Sequence, residues 1–414
     1  MSKTFKISVV LILVILITVF SWAFFSRREG ESVEETLSNI LPFGSGENAP
    51  GGTFGAESPG EAGEEEMFDE FGQPITALFR LAVEPVAGAV AFNKSSTTAA
   101  VRYVDRVTGH IFEIILPGNN ALGMLQKKKI SNKTLPKIYE AYFRPDGNAV
   151  LLRSLKDGSD TVENLSLTLA ASSTADGLYN VSATSLRGDM GSVIVGFGNT
   201  LYYSLRDSGS IVSSSFNSAA LKTIFTSIFT DWRLGTVGNN ILLTTKASSD
   251  ASGYAYTLNQ SSGSLSKILG PLNGLTVTAD AAGTHIVYSY MESGLAKSSA
   301  KNLQSGAIME ILPVTLSEKC VWSTKNKGVV YCASPVDGIG ANEPDNWHRG
   351  ITHFSDRLWR FDTNGEIAQI LSEPKTGLGL DLDVAEPKLS PNEDYLIFIN
   401  RRDLSLWALK LEPF

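Results

Sequence analysis

Cysteine and histidine are scarce in this sequence: two Cys and four His in 414 residues. Cys320 and Cys332 make no C-x-x-C pair, and no histidines cluster beside them, so a structural zinc site is not indicated. Charged residues make up only 19% of the chain, and long runs of good helix formers are missing beyond the N terminus. Motifs that carry chemistry are absent as well. There is no G-x-S-x-G, no H-E-x-x-H, no P-loop and no G-x-G-x-x-G between a strand and a helix. Asp381 and Asp383 could form a carboxylate pair for acid–base work, but alternation along a strand puts such residues on one face regardless. The sequence therefore points to no catalytic residues, no metal and no cofactor.

Basic surplus is lacking too. Four Lys/Arg in residues 1–28 and twelve Asp/Glu in residues 29–74 account for the net charge of −8, which leaves residues 75–414 neutral. A nucleic-acid partner is disfavoured on that ground.

What is present begins with Ile7 to Phe25, nineteen residues without a charge, preceded by Lys3 and Lys6 and followed by Arg27-Arg28. That length spans the hydrocarbon core of a bilayer as a helix, and no small-x-small cleavage site closes it. Residues 1–28 are expected to be a transmembrane signal anchor, with the rest of the chain outside the cytoplasmic membrane. Residues 29–74, rich in Glu, Gly, Pro and Ser, are expected to be a disordered acidic linker. Its run Glu64-Glu65-Glu66 reads as solvated charge rather than as a Ca²⁺ site.

From Ile75 on, short apolar strands alternate with tight turns. The unit is clearest at Pro387–Leu411: a Ser-Pro-Asn-Glu-Asp turn, the strand Tyr395–Ile399, a polar turn at Arg401–Asp403 and a second strand with Trp407. Arg144-Pro145-Asp146-Gly147 opens an equivalent unit. Equivalent turns at Gly147, Asn199, Asn239, Gly283, Gly328 and Asn392 are spaced by 52, 40, 44, 45 and 64 residues. A four-stranded propeller blade needs about 40–50 residues. The fold class expected for residues 75–414 is therefore all-β, a seven-bladed β-propeller with an insertion in its sixth blade. The last unit has only three strands of its own, so Ile75–Leu81 should supply its outer strand and close the ring.

Cys320 and Cys332 flank the hairpin of that sixth unit. Pairing Ser323 with Val329 sets them directly opposite, within reach of a disulfide in an oxidising compartment. The insertion Ser334–Ser355 gathers Asp345, Trp347, His348, Arg349 and His353, with Asp356 just beyond. Long ordered loops often carry function. Two readings stand side by side: these six residues form a binding surface for a saccharide or peptide, or the loop packs over the blade edge with Trp347 as its apolar pin and His353 starting a strand. Calcium at Asp337, Glu343 and Asp345 lacks the D-x-[DN]-x-[DN]-G order.

Pro85–Glu113, Lys319–Pro335, Asp345–Gly350 and Leu389–Leu409, taken with the anchor and linker, resemble a family of uncharacterised membrane-anchored β-propeller proteins of candidate-phylum bacteria. The blade unit is also similar to WD-repeat-like and Tol-Pal-type propellers. The resemblance implies the fold and an envelope location, and carries over no functional residues. The leading expectation is a binding or scaffolding module with a protein or glycan partner. The alternatives are an envelope enzyme working on glycan or peptide through Asp345, His348 and Asp356, and a structural spacer.

Overall fold

The computed structural model describes residues 77–411, except 97, 118–124, 157 and 173–176. The chain divides into Met1–Gly63 and Glu64–Phe414, and every described residue belongs to the second unit. The apolar run Ile7–Phe25 and the acidic stretch 29–74 lie outside the described residues. Among those described, no helix is long and apolar enough to cross a membrane.

Turn chemistry and apolar runs together dictate a series of antiparallel sheets. β1 (Leu78–Ala82) is first in the chain and last in the architecture. The first sheet holds β2 (Val86–Asn93), β3 (Ala99–Asp105), β4 (Ile111–Ile115) and β5 (Lys127–Ser131) in sequence order. The second holds β6 (Ile138–Phe143), β7 (Ala149–Leu155), β8 (Val162–Ala170) and β9 (Asn180–Leu186). The third holds β10 (Met190–Val195), β11 (Thr200–Leu205), β12 (Ile211–Ser215) and β13 (Lys222–Phe225).

Next comes a seven-stranded sheet. Its strands are β14 (Trp232–Val237), β15 (Asn240–Thr245), β16 (Ser252–Leu258), β17 (Leu265–Ala279), β18 (His285–Glu292), β19 (Leu295–Asn302) and β20 (Ile308–Glu310). Strand β17 pairs with β16 from Leu265 to Asn273 and with β18 from Asn273 to Ala279, so it ends one four-stranded unit and begins the next. Then follow β21 (Cys320–Trp322), β22 (Val329–Pro335), β23 (Asp356–Asp362) and β24 (Ile367–Ser372). The last set is β25 (Val384–Leu389), β26 (Tyr395–Asn400) and β27 (Leu406–Lys410), to which β1 adds the fourth strand.

The described residues thus make six or seven four-stranded antiparallel sheets, according to whether the long sheet is kept whole or divided at β17. The leading strand of each touches the next: β2, β6, β10, β14, β17, β21, β25 and back to β2. That is the closed ring of a β-propeller. Crowding near its axis is visible at Gly88, where a Cβ would come within 2.1 Å of the Ala141 carbonyl oxygen on β6. An apolar cluster fills each junction. Val101 and Ala91 meet Ile397 and Leu406 at the closure, for example, and Val287 and Ala300 meet Trp322 and Phe361 across the β18–β22 junction.

β1 closes the ring by pairing antiparallel with β27, Leu78 opposite Leu409 and Phe79 opposite Ala408. The Arg80 guanidinium lies 4.7 Å from the Trp407 ring centre. The Tyr395 hydroxyl donates to the carbonyl of Pro117 at 2.7 Å, a second tie from the last sheet to the first. Cys320 and Cys332 stand opposite each other in the β21–β22 register and are joined by a disulfide.

Candidate functional site

Residues 336–355 leave the end of β22 and return to β23 across one mouth of the ring. A four-residue helix, α1 (Asp345–His348), forms the middle of this crossing. On one side the Asp345 carboxylate accepts from the backbone N–H of Ser249, in the β15–β16 loop, at 2.6 Å. A Cβ at Gly274, where φ is 63°, would come within 2.9 Å of Met291 Cγ and 3.3 Å of Pro344 Cδ, so the bare backbone lets Pro344 pass close above it. On the other side, Arg401 of the β26–β27 turn donates to the carbonyls of Trp347 and His348 at 2.7 and 3.0 Å. Arg402 donates from Nε to the Phe354 carbonyl at 3.1 Å. A segment rooted in the β21–β24 sheet and tied to both the β14–β17 and β25–β27 units has to cross the mouth between them. It is a cap.

The underside of the cap is held by charge. Lys319 closes a 3-10 turn at Ser317–Lys319, immediately before β21, and is 0% exposed. Its ammonium donates to Asp356 Oδ2 at 2.7 Å, Asp383 Oδ1 at 2.6 Å and the Val384 carbonyl at 3.1 Å. The Trp347 and Phe354 ring centres stand 4.9 and 5.0 Å from the same nitrogen. Trp347 is 4% exposed, packs with Leu316 and Phe354, and donates its indole N–H to Asp383 at 3.0 Å. The cap is therefore fastened by an aromatic pin set over a buried cation. A buried charge is tolerated only when paired and hydrogen-bonded, and all three ammonium donors have acceptors here.

The two carboxylates are not equivalent. Asp383 accepts from Lys319 and from the Trp347 indole, with His353 Nδ1 3.6 Å away. Asp356 accepts from Lys319 and from the Val384 backbone N–H, both on Oδ2, while Oδ1 has no hydrogen-bond partner among the described residues. Burial pushes the Asp356 carboxyl above the usual carboxylate range, with Asp383 acting in the same direction and Lys319 pulling back.

Above the pin, a polar cleft of about 400 Å³ opens along the rim of the cap. Its walls include Asp337, Asn346, His353, Lys375, Asp381 and Arg402. Lys375 belongs to a short helix, α2 (Pro374–Leu378), and its ammonium lies 3.8 Å from both Asp337 and Asp381. The Asp381 carboxyl is held below its ordinary range, chiefly by the hydrogen bond from the Ser355 hydroxyl at 2.8 Å.

The six loop residues singled out from sequence thus fall into two groups. Trp347 and Asp356 are interior. His348, Arg349 and His353 are exposed, and Asp345 is half-buried against Ser249. His348 Nε2 lies 2.7 Å from Glu318 Oε2. The desolvated Asp345 carboxyl is nonetheless held below its usual range by its hydrogen bonds from Ser249 and Ser248. His353 does not start a strand. β23 begins at Asp356, because Phe354 turns inward against Leu316 and breaks the alternation. Asp381 and Asp383 do not act as a pair: one faces the cleft and the other is buried under the pin. Sequence reasoning missed Lys319, Phe354, Arg401 and Arg402. The signal available for Lys319 was a lone cation set directly before a strand that is otherwise apolar. Among the described residues, no group of three or more His, Cys, Asp or Glu is placed to hold a metal ion.

No protein-family model matches the sequence, and neither does any curated protein. Solved structures give distant likenesses to β-propellers. A streptogramin B lyase structure is 12% identical, covering 81% of this chain and 97% of that one with a TM-score of 0.48. The β-propeller domain of the trilobed protease from Pyrococcus furiosus is 10% identical, with coverages of 81% and 97% and a TM-score of 0.45. TolB from Acinetobacter baumannii is 16% identical, with coverages of 68% and 62% and a TM-score of 0.39.

Proposed function

We propose that this protein is a binding or scaffolding module of the cell envelope. In this reading, a seven-bladed propeller is held at the cytoplasmic membrane by Ile7–Phe25 and tethered to it through residues 29–74, on the extracytoplasmic side. The observation that carries the binding role is the pinned cap: one mouth of the ring is covered by a fixed, buried-ion-anchored segment whose rim forms a polar cleft. A rigid scaffold presenting mixed charge and amides suits a protein or glycan partner. The Cys320–Cys332 disulfide supports an oxidising compartment, as expected outside the cytoplasmic membrane.

Nothing specific favours the enzymatic alternative. Asp345 is occupied by Ser249, His348 sits beside Glu318, and Asp356 lies beneath the pin, so the three do not converge on one point. The test of the binding reading uses the cleft walls. Asp337→Ala, His353→Ala and Lys375→Ala together should abolish capture of an envelope partner while thermal unfolding stays cooperative. Undiminished capture by that variant would remove the cleft as the site. Alkylation of the unreduced protein tests the location: free thiols at Cys320 and Cys332 would argue against an extracytoplasmic propeller.

A further inference from the structure

We propose that the outer edge of the first sheet is a docking surface for an anionic lipid bilayer, on which the propeller rests edge-on. Residues 126–137, which include β5, carry Lys127, Lys128, Lys129, Lys133 and Lys137 with no Asp or Glu. Against a neutral 75–414, this is a strong local surplus. Among the described residues, the nearby carboxylates are already engaged. Glu84 pairs with Lys127 at 2.7 Å. Glu113, opposite Lys128 in register, is buried between Arg102 and Lys94. Asp105 accepts from the Val107 N–H and the Thr108 hydroxyl, and Glu140 pairs with Arg153. Lys128, Lys129 and Lys133 are exposed and form no ion pair among the described residues.

Apolar and aromatic groups border these cations. Val107 is 62% exposed on a turn that the lysine segment joins through the Leu135 N–H to the Thr108 carbonyl. Tyr139 is 43% exposed beside Arg106, whose guanidinium lies 4.9 Å from its ring centre. Lysine interleaved with aromatic and branched apolar side chains suits the headgroup region, where stems are buried and ammonium groups meet phosphate. What selects a bilayer over a soluble polyanion is the reading of Ile7–Phe25 as an anchor, on which the proposal rests. The 46 residues from 29 to 74 limit the separation to about 150 Å even when fully extended, so the local concentration of lipid is always high. Each basic residue at an anionic surface strengthens partitioning about fivefold, so the three unpaired lysines together should be worth about a hundredfold.

The experiment places the full chain in vesicles of phosphatidylcholine, with or without phosphatidylglycerol, and follows acylation of individual lysines by mass spectrometry, with exposed Lys327 as reference. Lys128, Lys129 and Lys133 should be protected about tenfold or more in the anionic vesicles at low salt, unprotected in neutral ones, and released by high salt. Equal acylation in both lipids would overturn the proposal. So would protection that persists in detergent, because the chain's own acidic residues would then be the occupant. Loss of the protein from neutral vesicles on washing would sink the anchor reading alone. The lysine edge is judged separately, by acylation of the exposed Lys137 in anionic vesicles at low salt, in the wild type and in a Lys128→Gln, Lys129→Gln, Lys133→Gln variant. Protection of Lys137 should fall about tenfold or more in the variant, and equal protection in the two proteins contradicts the proposal.

Discussion

Replacing Lys319 with methionine should be the most damaging single change at the capped face. Methionine fills a similar volume but removes an ammonium that donates to Asp356, Asp383 and the Val384 carbonyl. Two carboxylates at or near zero exposure then lose their cation. Breaking a buried ion pair from one side costs about 3–5 kcal/mol, and here both partners are stranded, which favours the upper end. At about 2 °C per kcal/mol for a domain of this size, the midpoint should fall by about 6–10 °C at neutral pH.

The penalty should also depend on pH. Asp356 already sits above the usual carboxylate range through burial, and without Lys319 it moves further in that direction. A group whose folded pKa is raised contributes stability below that pKa and loses it as pH rises through it. The deficit of the variant should therefore shrink as pH is lowered toward the folded pKa of Asp356. The wild type should move the other way. Glu84, Glu113, Asp146, Asp189, Asp280, Asp345 and Asp381 are all held below their ordinary values, so their contribution is present above the unfolded pKa and lost as pH falls through the folded ones. Calorimetric melts at a series of pH values give the answer. A Lys319→Met midpoint equal to wild type at neutral pH, or a deficit that does not change with pH, would refute the reasoning.

Three further outcomes are expected. Reducing the Cys320–Cys332 disulfide, whose partners are 12 residues apart, should cost about 3 kcal/mol and lower the melt by about 6 °C; an unchanged melt with reductant counts against it. Removing residues 1–82 takes away β1 with the buried Leu78, Phe79 and Leu81, a loss of about 5–9 kcal/mol that should abolish the single cooperative transition, read by calorimetry. Trp347→Ala should cost about 3–5 kcal/mol and release the cap. Limited proteolysis should then cut within 336–355 while the far-ultraviolet signal of the sheets persists, and resistance equal to wild type would show that Trp347 is not the pin.

How much of this was readable in the sequence follows from the range of the forces involved. Turn chemistry is local, so Arg144-Pro145-Asp146-Gly147 and Ser390-Pro391-Asn392 marked their hairpins directly. Register arithmetic across one hairpin sufficed to set Cys320 opposite Cys332, and counting strands in the last unit sufficed to call for β1. The merging of two units through β17 was not readable, because Gly274 turns the chain without any intervening loop. The role of Trp347 was not readable either. An aromatic in a polar, Gly-rich loop serves equally well as a platform or a pin. The groups that decide it, Lys319 and Asp383, lie on other segments of the chain. Similarly, Asp381 and Asp383 looked alike in sequence and differ only because one meets solvent and the other a buried ammonium.

The central claim, that partners bind at the capped face, is tested most directly by placing a photo-crosslinking residue at Asp337 and, separately, at Lys327. These exposed positions lie beyond opposite ends of β22, one at the cleft and one on the far face of the ring. In intact envelopes, irradiation should give a discrete crosslinked partner from position 337 and none from 327. The same product from both positions, or from 327 alone, would contradict the assignment of the cleft.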